Sequence, residues 1–253
     1  MGGMISDDDR LAAELAAEAG RRLLALRARG GDPDALRDEG DRRSHEFLAA
    51  ELARRRPGDA LLSEEGRDSR ARLSARRVWI VDPLDGTREF GEPGRTDWAV
   101  HVALWEEGEL TAGAVALPAQ GKTLSTADPR ADHRSTSTSI TLRLAVSRTR
   151  PPEFAARLAD KTGALLLPLG SAGAKAAAVI CGDAEAYVHS GGQYEWDSAA
   201  PVAVALAAGL HASRIDGSRL SYNQDPPSVP DILICQAALA DMLLEAISSV
   251  RGE

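Results

Sequence analysis

The sequence predicts a mixed α/β protein built from two halves of different kind. Three observations support this fold class. Helical periodicity opens the chain, and strand patterns separated by short turns follow it. A polar segment over residues 128–139 then interrupts the pattern, and beyond it short apolar strands alternate with helices. We therefore expect an α+β half at residues 1–139 and an α/β half at residues 140–253.

The first half is predicted to begin with two helices and to continue with an antiparallel meander. Apolar residues three or four positions apart give the first helix one apolar face, and its first turn is acidic. Pro57-Gly58 ends the second helix. The predicted elements are helices from about Asp7 to Arg29 and from about Gly40 to Arg56, and strands at Val78–Val81, Asp97–Trp105, Glu109–Leu117 and Lys122–Thr126.

The second half is predicted to alternate between the two element types. Short apolar runs indicate strands, and alanine-rich or periodic segments between them indicate helices. The predicted strands are Leu142–Val146, Leu165–Leu167, Ala184–Val188, His211–Arg214 and Ile232–Cys235, and the predicted helices begin at Pro151, Ser171, about Trp196 and about Ala237.

The bulk properties narrow the range of partners. The net charge of −8 argues against a polynucleotide, which would favour a basic face. It does not exclude a small anionic substrate, because a bound metal ion reverses the local charge. No run reaches the roughly 18 apolar residues that span a bilayer, so we expect no membrane partner.

The two cysteines, Cys181 and Cys235, lie beside apolar residues. We therefore expect reduced thiols and a cytoplasmic location. The oligomeric state stays open, and a homodimer is one option.

The most informative segment is Asp82-Pro83-Leu84-Asp85-Gly86-Thr87, directly after the apolar run at residues 78–81. The run predicts a short buried strand that ends at Asp82. Two carboxylates held close together repel by roughly 4 kcal/mol for unit charges about 4 Å apart at an effective dielectric of 20. A divalent cation removes this cost, and Mg²⁺ prefers such oxygen ligands. Taken alone, the segment is more often an ordinary turn, because Asp-Pro and Asp-Gly are common turn formers.

Two further acidic segments accompany this motif. Ser63-Glu64-Glu65-Gly66 lies upstream of it, and Glu195-Trp196-Asp197 lies far downstream. With residues 79–87, these segments resemble the signature set of the inositol monophosphatase superfamily, a group of metal-dependent, lithium-sensitive phosphomonoesterases. The stretches 85–90, 170–175 and 191–197 are similar to its bacterial branch of CysQ-type 3'(2'),5'-bisphosphate nucleotidases.

The resemblance implies a layered α-β-α-β-α sandwich of the inositol monophosphatase and fructose-1,6-bisphosphatase type, with the site between the halves. It also implies two or three Mg²⁺ ions, with ligands from the side chains of Glu64, Asp82, Asp85 and Asp197 and from the carbonyl of Leu84. Glu64 and Thr87 would orient the attacking water, and Asp41 would support the water network. The sequence around Asp41 departs from the family pattern, and a solvated charge run is the alternative there.

The resemblance also implies a set of substrate-binding residues. They are Leu84, Asp85, Gly86, Thr87, Arg88, Gly170, Ser171, Lys175 and Asp197. The amides of Gly86 and Thr87 would hold phosphate oxygens. Residues 170–173 could equally be small because a helix packs closely there, and Lys175 could be a surface side chain. An aspartate at a helix start, such as Asp197, is by itself more often a simple cap.

The function that the resemblance implies is that of a Mg²⁺-dependent phosphatase in sulfate assimilation. The substrate would be 3'-phosphoadenosine 5'-phosphate, and the products would be AMP and phosphate. Inositol 1-phosphate and fructose 1,6-bisphosphate are alternative substrates, because relatives of this fold hydrolyse them. A metal- or nucleotide-binding sensor is the alternative without catalysis, and the complete acidic set argues against it.

Overall fold

The structure is a computed structural model that describes residues 6–128 and 141–252 and contains two five-stranded sheets. The helices are α1 (Asp7–Arg27), α2 (Pro33–Arg55), α3 (Thr87–Gly91), α4 (Ala155–Thr162), α5 (Ala172–Ile180), α6 (Glu195–Ala207) and α7 (Ala240–Gly252). The strands are β1 (Ala60–Ser63), β2 (Arg77–Asp85), β3 (Ala99–Glu106), β4 (Glu109–Leu117), β5 (Lys122–Ser125), β6 (Arg143–Ser147), β7 (Leu165–Leu169), β8 (Ala186–Tyr194), β9 (His211–Ser213) and β10 (Ser228–Cys235).

The two sheets have different topologies. The first sheet has the order β1-β2-β3-β4-β5, in which β1 and β2 are parallel and the other neighbours are antiparallel. The second sheet has the order β7-β6-β8-β10-β9, with parallel pairs around β6 and antiparallel pairs around β10. The predicted meander in the first half and the alternation of strands and helices in the second are both confirmed.

Five layers follow from three separate groups of buried side chains. Helices α1 and α2 pack on the outer face of the first sheet, with Leu15 and Trp79 among the buried residues. The alanine-rich helices α5 and α6 fill the space between the two sheets. Helices α4 and α7 cover the outer face of the second sheet, around Leu158 and Ile247. The layered α-β-α-β-α arrangement is therefore confirmed.

Strand β2 is longer than predicted, and this difference matters for the site. It continues through Asp85, so the prediction that the strand ends at Asp82 is wrong. Residues three apart on a regular strand point to opposite faces of the sheet. The pairing of β2 with β3 shifts between Asp82 and Asp85. An irregularity of this kind re-aims side chains, which allows both carboxylates to reach one site.

Helix α2 begins at Pro33, seven residues before the predicted start at Gly40. Asp32 caps it by accepting the Ala35 N–H at 3.0 Å. An aspartate followed by proline is a common helix start that the prediction overlooked. As a consequence, Asp41 lies inside a regular helix.

The remaining differences are small. Helix α4 begins at Ala155 instead of Pro151, and α7 begins at Ala240 after a short 3₁₀ turn. The predicted boundary between the halves lies within residues 129–140, outside the described residues, and the division into 1–139 and 140–253 stays a prediction. Within residues 6–128 and 141–252, no helix is both long and apolar enough to span a membrane.

Candidate active site

A cavity of about 640 Å³ opens between the two halves. The carboxyl-terminal end of β2 and the start of α3 line one side, and the start of α5 together with the β8–α6 junction lines the other. All the predicted metal ligands and substrate-binding residues line this cavity, whereas Asp41 lies next to it.

Three aspartates converge in the cavity from distant parts of the chain. Asp82 and Asp85 come from β2, and Asp197 comes from the first turn of α6. One carboxylate oxygen from each lies within 4.8 Å of the others. Asp197 also caps α6, since its Oδ2 accepts the Tyr194 N–H at 2.6 Å. The cap and the acidic cluster are therefore two roles of the same side chain.

Asp82 and Asp85 are both buried, but their surroundings act on their charges in opposite directions. For Asp82, burial and the charges of Glu64 and Asp85 raise the pKa well above its usual range, and the Leu84 N–H, 3.0 Å away, opposes them. Burial also disfavours the Asp85 anion. The neighbouring His101 outweighs this effect, and the pKa of Asp85 is lowered.

The carboxylate of Asp85 joins the two halves of the protein. It accepts the backbone N–H groups of Ala172 at 3.2 Å and Gly173 at 2.7 Å, both at the start of α5. His101 Nε2 lies 3.1 Å from Asp85 Oδ2 at an angle that makes the contact an ion pair rather than a well-aligned hydrogen bond. Its Nδ1 lies 3.0 Å from the carbonyl oxygen of Trp196. His101 therefore links one aspartate to the helix that carries Asp197.

Nothing in the sequence singles out His101. The five histidines show no ligand spacing, and this one is a lone residue within β3. Burial favours neutral imidazole, but the charge of Asp85 outweighs it and the pKa of His101 is raised. The involvement of His101 in the site becomes visible only in the folded structure, where His101 is the β3 residue that pairs with Asp82 across the sheet.

Glu64 lies in the same cavity but outside the group of three aspartates. It directly follows β1, the parallel neighbour of β2, and its N–H donates to the carbonyl of Val81 at 3.4 Å. Partial burial and the charges of Asp197 and Asp85 raise the pKa of Glu64 to about 7. Its role as a ligand stays a prediction.

Asp41 is brought to the site by α2, although its local sequence gave an ambiguous signal. The hydroxyl of Thr87 lies 3.3 Å from Asp41 Oδ1 and 3.0 Å from the Leu84 carbonyl oxygen. Burial and the nearby charge of Glu65 raise the pKa of Asp41 to about 7. A charge run in open solvent would not show these contacts, so that alternative is wrong.

The donor set fits a hard divalent cation. The three aspartates offer oxygen ligands within a small volume, and the Leu84 carbonyl lies on the same stretch of β2. The anions of Asp82 and Asp197 are destabilised by burial and by neighbouring carboxylates, and a divalent cation relieves both effects. The cluster can therefore hold a metal ion.

The predicted substrate contacts differ in their surroundings. Gly86 has a φ of +84°, and an added Cβ would lie 2.9 Å from the Cβ of Ser171, so only glycine fits there. Helix α3 is five residues long, too short for its dipole to add much to phosphate binding. Arg88 is exposed on the cavity surface.

Residues 170–175 close the opposite side of the cavity. A Cβ on Gly170 would collide with Glu89, so close packing explains this glycine. The hydroxyl of Ser171 caps α5 by accepting the Ala174 N–H at 2.9 Å. Lys175 is 4% exposed, and the surface alternative is therefore wrong. Its ammonium donates to the carbonyls of Gly170 at 2.6 Å and Ser171 at 2.8 Å, and burial lowers its pKa to about 8.

The fold and the site together define a class of protein: a layered α-β-α-β-α sandwich with an acidic, cation-compatible cavity between its halves. Solved structures share this fold. CysQ from Bacteroides thetaiotaomicron has a TM-score of 0.79 and 23% identity, over 92% of this chain and 98% of that one. An IMPase from Thermotoga maritima also has a TM-score of 0.79, with 21% identity over 98% of this chain and 99% of that one.

The chain belongs to the inositol monophosphatase family, whose model matches residues 9–251. It is 51% identical over 260 residues to the 3'-phosphoadenosine 5'-phosphate phosphatase of Mycobacterium leprae (strain TN). The alignment covers 96% of this chain and 94% of that protein. It is 52% identical over 239 residues to the protein of the same name from Mycobacterium tuberculosis (strain CDC 1551 / Oshkosh), with 91% and 90% covered.

Proposed function

We propose that this protein is a Mg²⁺-dependent phosphatase that removes the 3'-phosphate from 3'-phosphoadenosine 5'-phosphate and releases AMP. The proposal includes two or three Mg²⁺ ions, a cytoplasmic location and a role in sulfate assimilation. One observation carries it: carboxylates from both halves converge in a single cavity, in a chain about half identical to phosphatases that carry this substrate in their names.

The reaction needs charge stabilisation more than covalent chemistry. Water forms a new bond to phosphorus, the bond from phosphorus to the 3'-oxygen breaks, and that oxygen leaves with a proton. When bound, the ions would polarise the phosphoryl oxygens and lower the pKa of the attacking water. Asp82, Asp85, Asp197, Glu64 and the Leu84 carbonyl would hold them.

The hydroxyl of Thr87 is placed to orient the attacking water. It lies between Asp41 Oδ1 and the Leu84 carbonyl oxygen, at 3.3 and 3.0 Å. A hydroxyl so placed can accept a hydrogen bond from water and pass the water's proton toward a carboxylate, either Asp41 or Glu64. This arrangement supports the predicted catalytic roles of Glu64, Thr87 and Asp41.

The remaining predicted residues would hold the substrate around the phosphate. The backbone of Gly86 and Thr87 and the side chain of Arg88 line one side of the cavity, and residues 170–171 line the other. The Lys175 ammonium lies behind this second side with a positive charge close to Asp85 and Asp197. Its bonds to two carbonyls support an indirect contribution to binding.

The substrate assignment is tested by comparing kcat/KM for three compounds at equal Mg²⁺. We expect 3'-phosphoadenosine 5'-phosphate to be hydrolysed with higher kcat/KM than inositol 1-phosphate or fructose 1,6-bisphosphate. Millimolar Li⁺ should inhibit the reaction, because a monovalent ion in a Mg²⁺ position supplies less charge. A preference for inositol 1-phosphate would reject the nucleotide assignment.

The alternative of a sensor without catalysis is tested with Asp85→Asn in a phosphate-release assay. The substitution removes one negative charge while preserving the size of the side chain. We expect the wild type to release phosphate and the variant to lose most of this activity. Equal inertness of both proteins, with nucleotide binding retained, would favour the sensor.

A further inference from the structure

Tyr194 is an exposed aromatic side chain on the surface of the cavity. It lies at the end of β8, immediately before α6, and lines the cavity together with Asp197. The residue is 53% exposed, whereas the other two tyrosines, Tyr187 and Tyr222, are buried. An aromatic ring left open at this place is available to a ligand.

One face of the Tyr194 ring is already covered. The indole of Trp196 stacks on it, with ring centroids 4.6 Å apart and an interplanar angle of 14°. The exposed area of Tyr194 therefore belongs to its opposite face and its edge. A flat ligand placed on that open face would extend an existing stack.

The backbone that carries the ring is held by hydrogen bonds. The Tyr194 N–H donates to Asp197 Oδ2 at 2.6 Å, and Tyr194 pairs with Ser228 in the neighbouring strand. The carboxylate of the next residue, Glu195, accepts the N–H groups of Asn223 and Gln224, both at 2.7 Å. Because the backbone is held and the ring is stacked on Trp196, Tyr194 loses little conformational entropy when a ligand binds.

Open space lies on the strand just before Tyr194. Gly191 and Gly192 precede it on the same strand, both have positive φ values, and no heavy atom lies within 4 Å of an added Cβ at either position. The cavity volume of about 640 Å³ is within the range of sites for small organic ligands. Space is therefore available for a group larger than a phosphate.

We propose that the open face of Tyr194 is the platform on which the adenine base of the substrate stacks. This inference rests on the proposed function and deepens it, because it names the residue that distinguishes a nucleotide from a sugar or inositol phosphate. A purine has two π faces, and base–aromatic stacking tolerates any base. Inositol and fructose have no π face, so Tyr194 would favour the nucleotide.

The test compares Tyr194→Leu, which removes the ring but keeps an apolar side chain, with Tyr194→Phe, which keeps the ring. The measurements are KM for 3'-phosphoadenosine 5'-phosphate and the inhibition constants of AMP and inorganic phosphate. We expect Tyr194→Leu to raise KM and the AMP constant about tenfold, the effect of losing one base–aromatic stack. The phosphate constant should change less than twofold, and Tyr194→Phe should resemble the wild type.

Leu206→Ala is the matched control. Leu206 lies on α6, is 51% exposed and does not line the cavity, so its truncation should change none of the three constants. Calorimetry of AMP binding with Ca²⁺ in place of Mg²⁺ gives a second readout that needs no turnover.

The outcomes separate the two levels of inference. An AMP constant that is unchanged in Tyr194→Leu, or that shifts only in step with the phosphate constant, would overturn the platform while leaving the phosphatase assignment intact. A wild-type protein that binds no AMP and leaves the bisphosphate nucleotide uncleaved would overturn the proposed function, and the platform with it.

Discussion

The cavity has two regions that are built in opposite ways. The acidic floor consists of Asp82, Asp85 and Asp197, and the exposed wall consists of Arg88 on one side of the cavity and Gly191, Gly192 and Tyr194 on the other. Asp82 and Asp85 are buried and held by backbone N–H groups, whereas the side chain of Arg88 reaches open solvent. The groups proposed to carry the reaction are therefore the ones that the fold holds rigidly. A substitution on the exposed wall should change the proposed choice of substrate without disturbing the fold.

The largest effect is expected on the acidic floor, from Asp82→Asn. The substitution removes a predicted ligand, and loss of metal stabilisation worth several kcal/mol lowers kcat by about a thousandfold. The metal-free variant should nevertheless unfold at a higher temperature than metal-free wild type, because a buried charge that is disfavoured in the fold is gone. Steady-state kinetics and thermal unfolding in EDTA measure the two effects. Activity within tenfold of wild type would show that Asp82 is not a ligand.

The second prediction concerns the pH dependence of the metal-free protein. The pKa values of Asp197, Glu64 and Asp41 are raised to about 6, 7 and 7, above those of an unfolded chain. Groups with raised pKa values stabilise the fold below their unfolded values, and this stabilisation is lost as pH rises through the folded ones. In EDTA, Tm should therefore fall between about pH 5 and pH 8.

Magnesium provides the matched measurement for this pH series. In excess Mg²⁺ the same fall in Tm should be smaller, because cations take over the role of the bound protons. A Tm that rises from pH 5 to pH 8 in EDTA would contradict the electrostatic description of the floor.

A smaller effect is expected where the floor meets α5, from Gly173→Ala. The new Cβ would collide with His101 and would lie 2.8 Å from the Cβ of Ala99. The start of α5 must then move, and the bond from the residue 173 N–H to Asp85 weakens. We expect a loss of about 1–3 kcal/mol in the free energy of unfolding, measured with urea.

Gly58→Ala serves as the control for this substitution. An added Cβ at Gly58 meets no atom within 4 Å, so we expect a change within about 0.5 kcal/mol. Equal stability of the two variants would mean that α5 has more freedom than its contacts indicate.

The smallest effect is expected on the exposed wall, from Arg88→Gln. Removing an exposed cation beside the proposed phosphate position should raise KM by no more than about tenfold, the size of one charge-assisted hydrogen bond in an open site. Tm should stay unchanged, because Arg88 is exposed. A fall in kcat as large as that of Asp82→Asn would erase the distinction between floor and wall.

The acidic residues of the floor could be predicted from the sequence because they lie in short, recognisable motifs. The Asp82–Asp85 motif shows two carboxylates three residues apart along the chain, and the family resemblance added Glu64 and Asp197. The five-layer fold also came from the resemblance, because periodicity describes single elements and not the order in which they stack.

Other features of the site depend on tertiary structure. The shift in strand pairing at Asp82–Asp85 and the ion pair of His101 arise only when β2 and β3 pair. Lys175 lies in an alanine-rich helix whose burial on all sides follows from its place between two sheets. The start of α2, in contrast, could have been predicted from the sequence, because Asp32-Pro33 is a typical helix start.

The bonds from Asp85 to the start of α5 have a consequence for biosynthesis. During translation, a chain that has emerged as far as Asp128 already contains Asp82 and Asp85, but it lacks both α5 and Asp197. The proposed cation site is completed only when the later half has been synthesised and has docked. Magnesium should therefore stabilise the final stage of folding and leave its early stages unaffected.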